Sequence, residues 1–327
     1  MTALVGHDAA AGALMAAIRS GRLHHAWLLA GPEGVGKGEF ARAAALRLLA
    51  ETPGGGEDLP GLDVPEGHQA AALFRAGSHP DFMLLDRQPR PKGEELARSI
   101  GIDQVRGLQR LFATAASFSR HRVVVIDAVD DLERAAANAL LKSLEEPPAG
   151  AVFLLVSHAP GRLLPTIRSR CRLLRFQPLD DAAMAQALHA ALPDAAAAEV
   201  AALVRVGEGA PGRALRFAGL DAGGLDAAMD ALVAQGDPTN ARRARLAREL
   251  SGRSTQPRYE LFLERVPARI AAEAKGRRGQ ALAEALALWE KARALAGSAV
   301  RLSLDPQTTV FELAGLLARL APEPVTR

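Results

Sequence analysis

The stretch HAWLLAGPEGVGKGEFARAAALRLLA, residues 25–50, joins an apolar run to a glycine-rich turn and then to a helical pattern. The run His25–Ala30 is short and apolar, as a buried strand would be. The segment from Glu39 onward is rich in Ala and Leu, which lose little entropy in a helix. A glycine loop between a strand and a helix is the context in which backbone N–H groups bind phosphate. We therefore predict an α/β unit with a phosphate-binding loop.

The glycine loop fits the phosphate-binding pattern up to its last position. That position should be Ser or Thr, whose hydroxyl holds Mg²⁺, and here it is Gly38. Backbone N–H groups would cradle the phosphates, and Lys37 would reach the outer ones. An ordinary turn in a βα unit is the alternative, which the flanking strand and helix disfavour. The residues of the predicted site are Gly31, Gly34, Val35, Gly36, Lys37 and Gly38.

Four more apolar runs lie before residue 178, at 81–86, 123–126, 151–157 and 171–176, separated by helical patterns. Apolar runs separated by helices are typical of parallel strands buried on both faces. We predict a doubly wound α/β domain over residues 1–178. Only helical periodicity follows, so we expect a small helical domain at 179–220 and a helical C-terminal domain at 221–327. Pro and Gly make residues 51–67 a loop insertion.

Composition indicates a globular protein. The 327 residues are 49% hydrophobic and 24% charged, with a net charge of +3, which permits nucleic-acid contact without arguing for it. No apolar run approaches the roughly 20 residues that span a bilayer, and no export signal is visible, so we expect no membrane association. The single Cys171 excludes an internal disulfide and indicates a reducing cytoplasm.

The strand around Val123–Ile126 ends in an acidic residue that hydrolytic sites of this type use. Asp127 stands where an Asp orients Mg²⁺ through water, but Ala128 follows it, where many such ATPases have a water-activating Glu. We interpret Asp130 and Asp131 as residues that begin or cap the next helix. The alternative is that one of them activates water in place of the missing Glu. Gly38 and Ala128 together predict no useful ATP hydrolysis, because each such loss commonly costs about 10²–10⁴ in rate.

Two arginines, Arg168 and Arg170, stand where a predicted short helix gives way to a strand. An arginine at an exposed edge can enter a neighbour's active site and stabilise charge on the γ-phosphate, an effect worth about 10³–10⁵ in rate. Surface arginines are more often solvated or paired with carboxylates. The spacing alone leaves both interpretations open.

Three segments together carry a resemblance: Leu4–Lys37, the segment AANALLKSLEEPP at 136–148, and TIRSRC at 166–171. They resemble the AAA+ clamp-loader proteins of bacterial DNA polymerase III, strongly over residues 1–220. The departures at Gly38 and Ala128 resemble the delta-prime branch of that family, whereas the motor branch, gamma and tau, keeps both functional residues. The resemblance implies an AAA+ P-loop domain with a parallel sheet, a helical lid and an all-α collar.

The resemblance also implies roles for individual residues. Arg170 would be an arginine finger that acts in trans on the ATP site of a neighbouring motor subunit. Ser157 matches the position that senses the γ-phosphate, and Arg213 matches the second sensor in the lid. With Asp127 they would complete a degenerate nucleotide site, and Val5–His7 would line its adenine pocket.

Zinc is not expected. Relatives often carry four cysteines after the phosphate-loop helix, but that region here has no cysteine and keeps only His68 and His79. We expect no required cofactor, and weak ATP or ADP binding stays open.

Two functional hypotheses follow. In the first, the chain is a stator in a hetero-oligomer with gamma/tau and delta subunits, whose targets are the sliding clamp and primed DNA. It would be an accessory subunit of a DNA-directed DNA polymerase holoenzyme, a nucleotidyltransferase as a complex. In the second, Lys37 and Asp127 belong to an active gamma/tau-like ATPase motor.

The helical tail has two further features. Residues 240–278 hold ten Arg and one Lys against four Glu, which we interpret as a salt-bridged surface, with DNA contact as the alternative. The collar role implies that helices at 280–296 and 309–320 bury their apolar faces in an oligomeric ring.

Overall fold

The computed structural model describes residues 4–52, 59–89, 96–113 and 116–322. They divide into two compact units. The first takes in the described residues up to Ala190 together with Gly209–Gly212. The second takes in Ala191–Glu208 and the described residues from Arg213 onward. The division into three domains at residues 178 and 220 stays a prediction.

The first unit is built on a parallel sheet. Its strands are β1 Ala26–Ala30, β2 Phe82–Asp86, β3 Arg122–Asp127, β4 Ala151–Ser157 and β5 Arg172–Arg175. They lie in the order β2-β3-β4-β1-β5, and each neighbouring pair is parallel. The side chains of β1 and β4 are buried on both faces, as the apolar runs predicted. The predicted α/β fold with a parallel sheet is confirmed.

Helices cover both faces of this sheet, because successive side chains of a strand point to opposite faces. Trp27 and Leu29 of β1 pack into one core, and Leu28 packs into the other. The first core includes side chains of α1 Asp8–Arg19, α2 Lys37–Leu49 and α3 Gln69–Arg75. The second includes side chains of α4 Ile102–Ala113, α5 Arg134–Glu145 and α6 Pro165–Arg168. Helix α7, Asp181–Ala191, follows the sheet.

The second unit is helical in its described part. Its helices are α8 Ala197–Gly207, α9 Pro211–Leu215, which begins in the first unit, α10 Ala222–Gln235, α11 Ala241–Leu250, α12 Gln256–Lys275, α13 Gly279–Ala299 and α14 Pro306–Ala318. Helix α14 contacts α10, α11, α12 and α13, and its Val310, Leu313 and Leu317 are fully buried. The expectation that this helix offers its apolar face to other subunits is therefore wrong. For α13 it stays a prediction.

Asp130 and Asp131 do not begin or cap helix α5, contrary to the expectation from the sequence. Asp130 and Asp131 lie in a 3₁₀ turn, Val129–Asp131, whereas α5 begins only at Arg134. The prediction is wrong because these two residues form a separate turn between β3 and α5.

The basic stretch at 240–278 is extensively paired. Arg258 contacts Asp221 at 2.7 Å, and Arg265 contacts Asp226 at 2.8 Å. These contacts support the interpretation as a salt-bridged surface, and DNA contact remains untested. Within the described ranges, no helix is both long and apolar enough to cross a membrane.

Candidate functional site

The phosphate loop needs its glycines for backbone reasons. The loop connects the end of β1 to the first residue of α2, Lys37. Gly34 and Gly36 have φ angles of 75° and 105°, in the left-handed region that favours glycine. A Cβ atom on Gly31 would lie 2.4 Å from the carbonyl oxygen of Phe176, closer than any side chain can approach. The strand–loop–helix arrangement predicted for this stretch is confirmed.

Two residues that lie outside the phosphate loop donate hydrogen bonds to its carbonyl groups. His7 Nε2 donates a hydrogen bond to the Val35 carbonyl at 2.8 Å, so the Val5–His7 segment reaches the loop. The N–H of Gly212 donates to the carbonyl of Gly34, also at 2.8 Å. The second contact comes from far along the sequence and was not predicted. A role for Val5–His7 in binding adenine remains a prediction.

Lys37 is turned onto its own loop. Its side chain is buried, and Nζ donates hydrogen bonds to the carbonyl oxygens of Gly31 at 2.7 Å and Pro32 at 2.5 Å. Burial lowers the pKa of Lys37 from 10.5 to about 8, although nearby carboxylates, Asp127 first among them, favour the charged form. The ammonium group therefore holds the loop closed on itself.

The position expected to hold Mg²⁺ is occupied by an ion pair. A Cβ atom on Gly38 would lie 2.6 Å from Asp127 Oδ2 and 3.2 Å from Arg42 Nη1. Arg42 Nη1 itself lies 3.6 Å from Asp127 Oδ2. Gly38 supplies no hydroxyl, and the next residue after Asp127, Ala128, is buried and supplies no carboxylate. These residues therefore do not fit the Mg²⁺ ion that ATPases of this type hold.

Asp130, which follows β3, accepts hydrogen bonds from residues at the end of β4. Ser157, fully buried at the end of β4, donates from Oγ to Asp130 Oδ1 at 3.0 Å. The same carboxylate accepts the backbone N–H groups of His158 at 2.7 Å and Ala159 at 3.1 Å. The alternative that Asp130 replaces the missing Glu is disfavoured, because its oxygens are engaged by these donors. The γ-phosphate role of Ser157 remains a prediction.

Arg213 belongs to the second unit. Its Nη1 lies 2.6 Å from Glu208 Oε2, and its Nε lies 3.7 Å from Glu264 Oε1. Both partners are carboxylates of its own unit. A role as second sensor remains a prediction.

Arg170 lies between α6 and β5, as predicted, and is partly engaged. Its Nη2 lies 2.9 Å from Glu145 Oε1, and its Nη1 donates to the Thr166 carbonyl at 2.9 Å. The side chain keeps 34% of its surface exposed. Glu145 ends α5 and was not predicted as a partner. Its place in a sequence segment that resembles the family was the available signal.

The two histidines considered for zinc have other contacts. The ring of His68 accepts the N–H of Ala70 and so caps α3. The buried His79 ring accepts the N–H of Asp81, and burial lowers its pKa. No group of three or more His, Cys, Asp or Glu residues that could hold a metal occurs in the described part of the chain. The absence of zinc remains a prediction.

The relatives reported in this comparison with known proteins are subunits of DNA polymerase III. The chain is 39% identical over 196 residues to the DNA polymerase III subunit delta' of Pseudomonas aeruginosa, covering 60% of this chain and 56% of that protein. It is 36% identical over 203 residues to the delta' subunit of Escherichia coli K12, covering 62% and 57%. It is 34% identical over 177 residues to the tau subunit of Salmonella typhimurium, covering 54% and 25%. The match thus spans little more than half the length of the delta' relatives.

A family model described as "DNA polymerase III, delta subunit" matches residues 6–180. This segment includes the sheet, the phosphate loop, Glu145 and Arg170. Because the match covers more than half of the 327 residues, the chain belongs to this family of DNA polymerase III clamp-loader subunits, and its relatives place it on the delta' branch.

Proposed function

We propose that this chain is a stator subunit of the DNA polymerase III clamp loader. It assists ATP-driven loading of the sliding clamp onto primed DNA, within a cytoplasmic hetero-oligomer that contains gamma/tau and delta subunits. It is an accessory subunit of a holoenzyme that catalyses nucleotidyl transfer, and it does not catalyse that reaction itself. Similarity to delta' subunits, and to a tau subunit over a shorter part of the chain, supports this proposal.

The observation that carries the proposal is the ion pair at the metal position. The Arg42–Asp127 pair, the missing hydroxyl at Gly38 and the missing acid at Ala128 leave the loop without the groups that position a metal ion and activate water. A subunit with such a loop contributes to ATP hydrolysis through a neighbour's site rather than its own.

Arg170 is the residue we assign to that contribution. Its partner Glu145 is nearly half exposed, and ion pairs between exposed groups are worth about 0–1 kcal/mol. The guanidinium group can therefore exchange this carboxylate for a more highly charged phosphate at little cost. The Thr166 carbonyl, which accepts from Nη1, keeps the side chain oriented during that exchange.

Substitution of Arg170 tests the assignment in the reconstituted clamp loader. Arg170→Ala should abolish the contribution of one motor site to clamp-stimulated ATP hydrolysis, since a finger is worth about 10³–10⁵ in rate. Clamp loading should fall with it, and assembly measured by size-exclusion chromatography should be unchanged. Arg168→Ala is the matched control, because Arg168 donates to the Pro160 carbonyl at 3.4 Å and contacts no carboxylate in the described residues. Wild-type loading by Arg170→Ala would end the finger assignment.

The rival function is an ATPase motor, which Lys37 and Asp127 favour. Turnover of ATP by the isolated chain with Mg²⁺ discriminates between the two. We expect a background rate. A higher rate that disappears in Lys37→Ala would establish the motor instead.

A further inference from the structure

We infer that Arg42 has replaced the divalent cation of this phosphate loop, so that the loop binds polyphosphate without metal. The inference concerns the loop of this chain and does not depend on the stator role. The fold family implies a Mg²⁺ ion at this loop, but the residues present there do not fit one.

Position is the first argument. In a working loop the cation lies near the hydroxyl of the eighth position and the aspartate at the strand end. Arg42 Nη1 lies 3.2 Å from the place where a Cβ on residue 38 would be, and 3.6 Å from Asp127 Oδ2. The guanidinium group thus lies beside both groups that would otherwise face the metal. It sits one helical turn beyond Gly38 on α2, so its position is fixed by the helix.

Charge is the second argument. Lys37 and Arg42 are two cations, and the N-terminus of α2 adds a partial positive charge. Two carboxylates lie near Arg42 Nη1: Asp127 at 3.6 Å and Glu39, which is 63% exposed, at 3.5 Å. A polyphosphate carries more negative charge than either carboxylate, and Arg supplies charge-assisted hydrogen bonds to it. A dication placed beside Arg42 would be repelled, and it would have to compete for a carboxylate that is already paired. The Arg42 side chain is 32% exposed, so a bound anion can reach it.

Gly38 and Arg42 depend on each other. A side chain at position 38 would collide with Asp127 Oδ2 at 2.6 Å, so a hydroxyl can return only if Asp127 leaves its present place beside Arg42. Gly38→Ser alone should therefore not restore metal dependence. The double variant Gly38→Ser with Arg42→Ala should gain it.

Calorimetric titration of the full chain with ADP and with pyrophosphate, each in excess EDTA and in excess MgCl₂, tests the inference. We expect the wild-type Kd in EDTA to be no weaker than in MgCl₂. Arg42→Ala should weaken binding in EDTA about tenfold or more, the loss expected for one charge-assisted phosphate contact. Arg110→Ala, at an exposed arginine on α4, removes the same charge and should leave Kd unchanged. Binding of pyrophosphate as well as ADP assigns the polyphosphate, and binding of ADP alone assigns a nucleotide.

Three results would overturn the inference: tenfold tighter wild-type binding with Mg²⁺, an unchanged Kd in Arg42→Ala, or no binding of either probe. Circular dichroism checks that the variant folds. If Arg42→Ala does not fold, Arg42→Gln keeps a hydrogen-bond donor for Asp127 without the charge and should show the same loss. None of these results bears on Arg170, so failure here and failure of the stator role are distinguishable.

Discussion

Replacing Lys37 by Met should make the stability difference from the wild-type protein depend on pH. In the folded chain the Lys37 side chain is buried against the carbonyl groups of Gly31 and Pro32. Burial lowers its pKa to about 8, whereas an exposed lysine in the unfolded chain keeps a pKa of 10.5. Met has a similar length and carries no proton, so the substitution removes this titration from both states.

Proton linkage gives the sign and size of the pH-dependent change in the free energy of unfolding. Between pH 8 and 10.5 the unfolded chain holds a proton on Lys37 that the folded chain has released, so the wild-type free energy of unfolding rises with pH from this source. The interval between the two pKa values corresponds to about 3 kcal/mol. The penalty is fully present below pH 8 and is relieved as the pH approaches 10.5. Wild type should therefore gain up to about 3 kcal/mol relative to Lys37→Met across this window.

Urea denaturation of both proteins at a series of pH values measures the difference, in which other titrating groups cancel. Lys142→Met is the control, because Lys142 is exposed on α5 and meets water in both states. Its difference from wild type should stay level. A level difference for Lys37→Met as well would refute the reasoning that burial of this ammonium group opposes its charge.

Two further substitutions test the framework of the first unit. Gly31→Ala should lower the free energy of unfolding by about 1–3 kcal/mol in urea denaturation, because its Cβ would meet the Phe176 carbonyl oxygen at 2.4 Å. Burial raises the pKa of Asp81, but hydrogen bonds from the backbone of residues 117–119 and from the Ser119 hydroxyl outweigh it and lower the pKa below 3.8. Asp81→Asn should therefore cost about 2 kcal/mol or more at neutral pH, and thermal melts should show the difference shrinking as the pH falls below 3.8.

The three central strands of the sheet could be predicted from the sequence because β1, β3 and β4 are continuous apolar runs, the pattern that burial on both faces requires. The edge strand β5 has an Arg at each end and is mostly exposed, so its signal is weaker. The loop residues could be predicted because glycine spacing reflects local backbone needs. The pairing of side chains could not be predicted from the sequence. Asp130 meets Ser157 across 27 residues, and whether an acid caps its own helix or a distant strand depends on tertiary distances. The pairing of Arg42 with Asp127 was hidden for the same reason.

The contacts of Arg170 have a consequence for the entropy of association. An arginine side chain that is free in solution carries about 2 kcal/mol of rotamer entropy, part of which is lost when a partner immobilises it. Here Glu145 and the Thr166 carbonyl already restrict the guanidinium group in the single chain. Part of that loss is thus incurred during folding, before any anion arrives. The side chain is preorganised, so the proposed contact with a phosphate would be made by a group whose geometry is already restricted in the single chain.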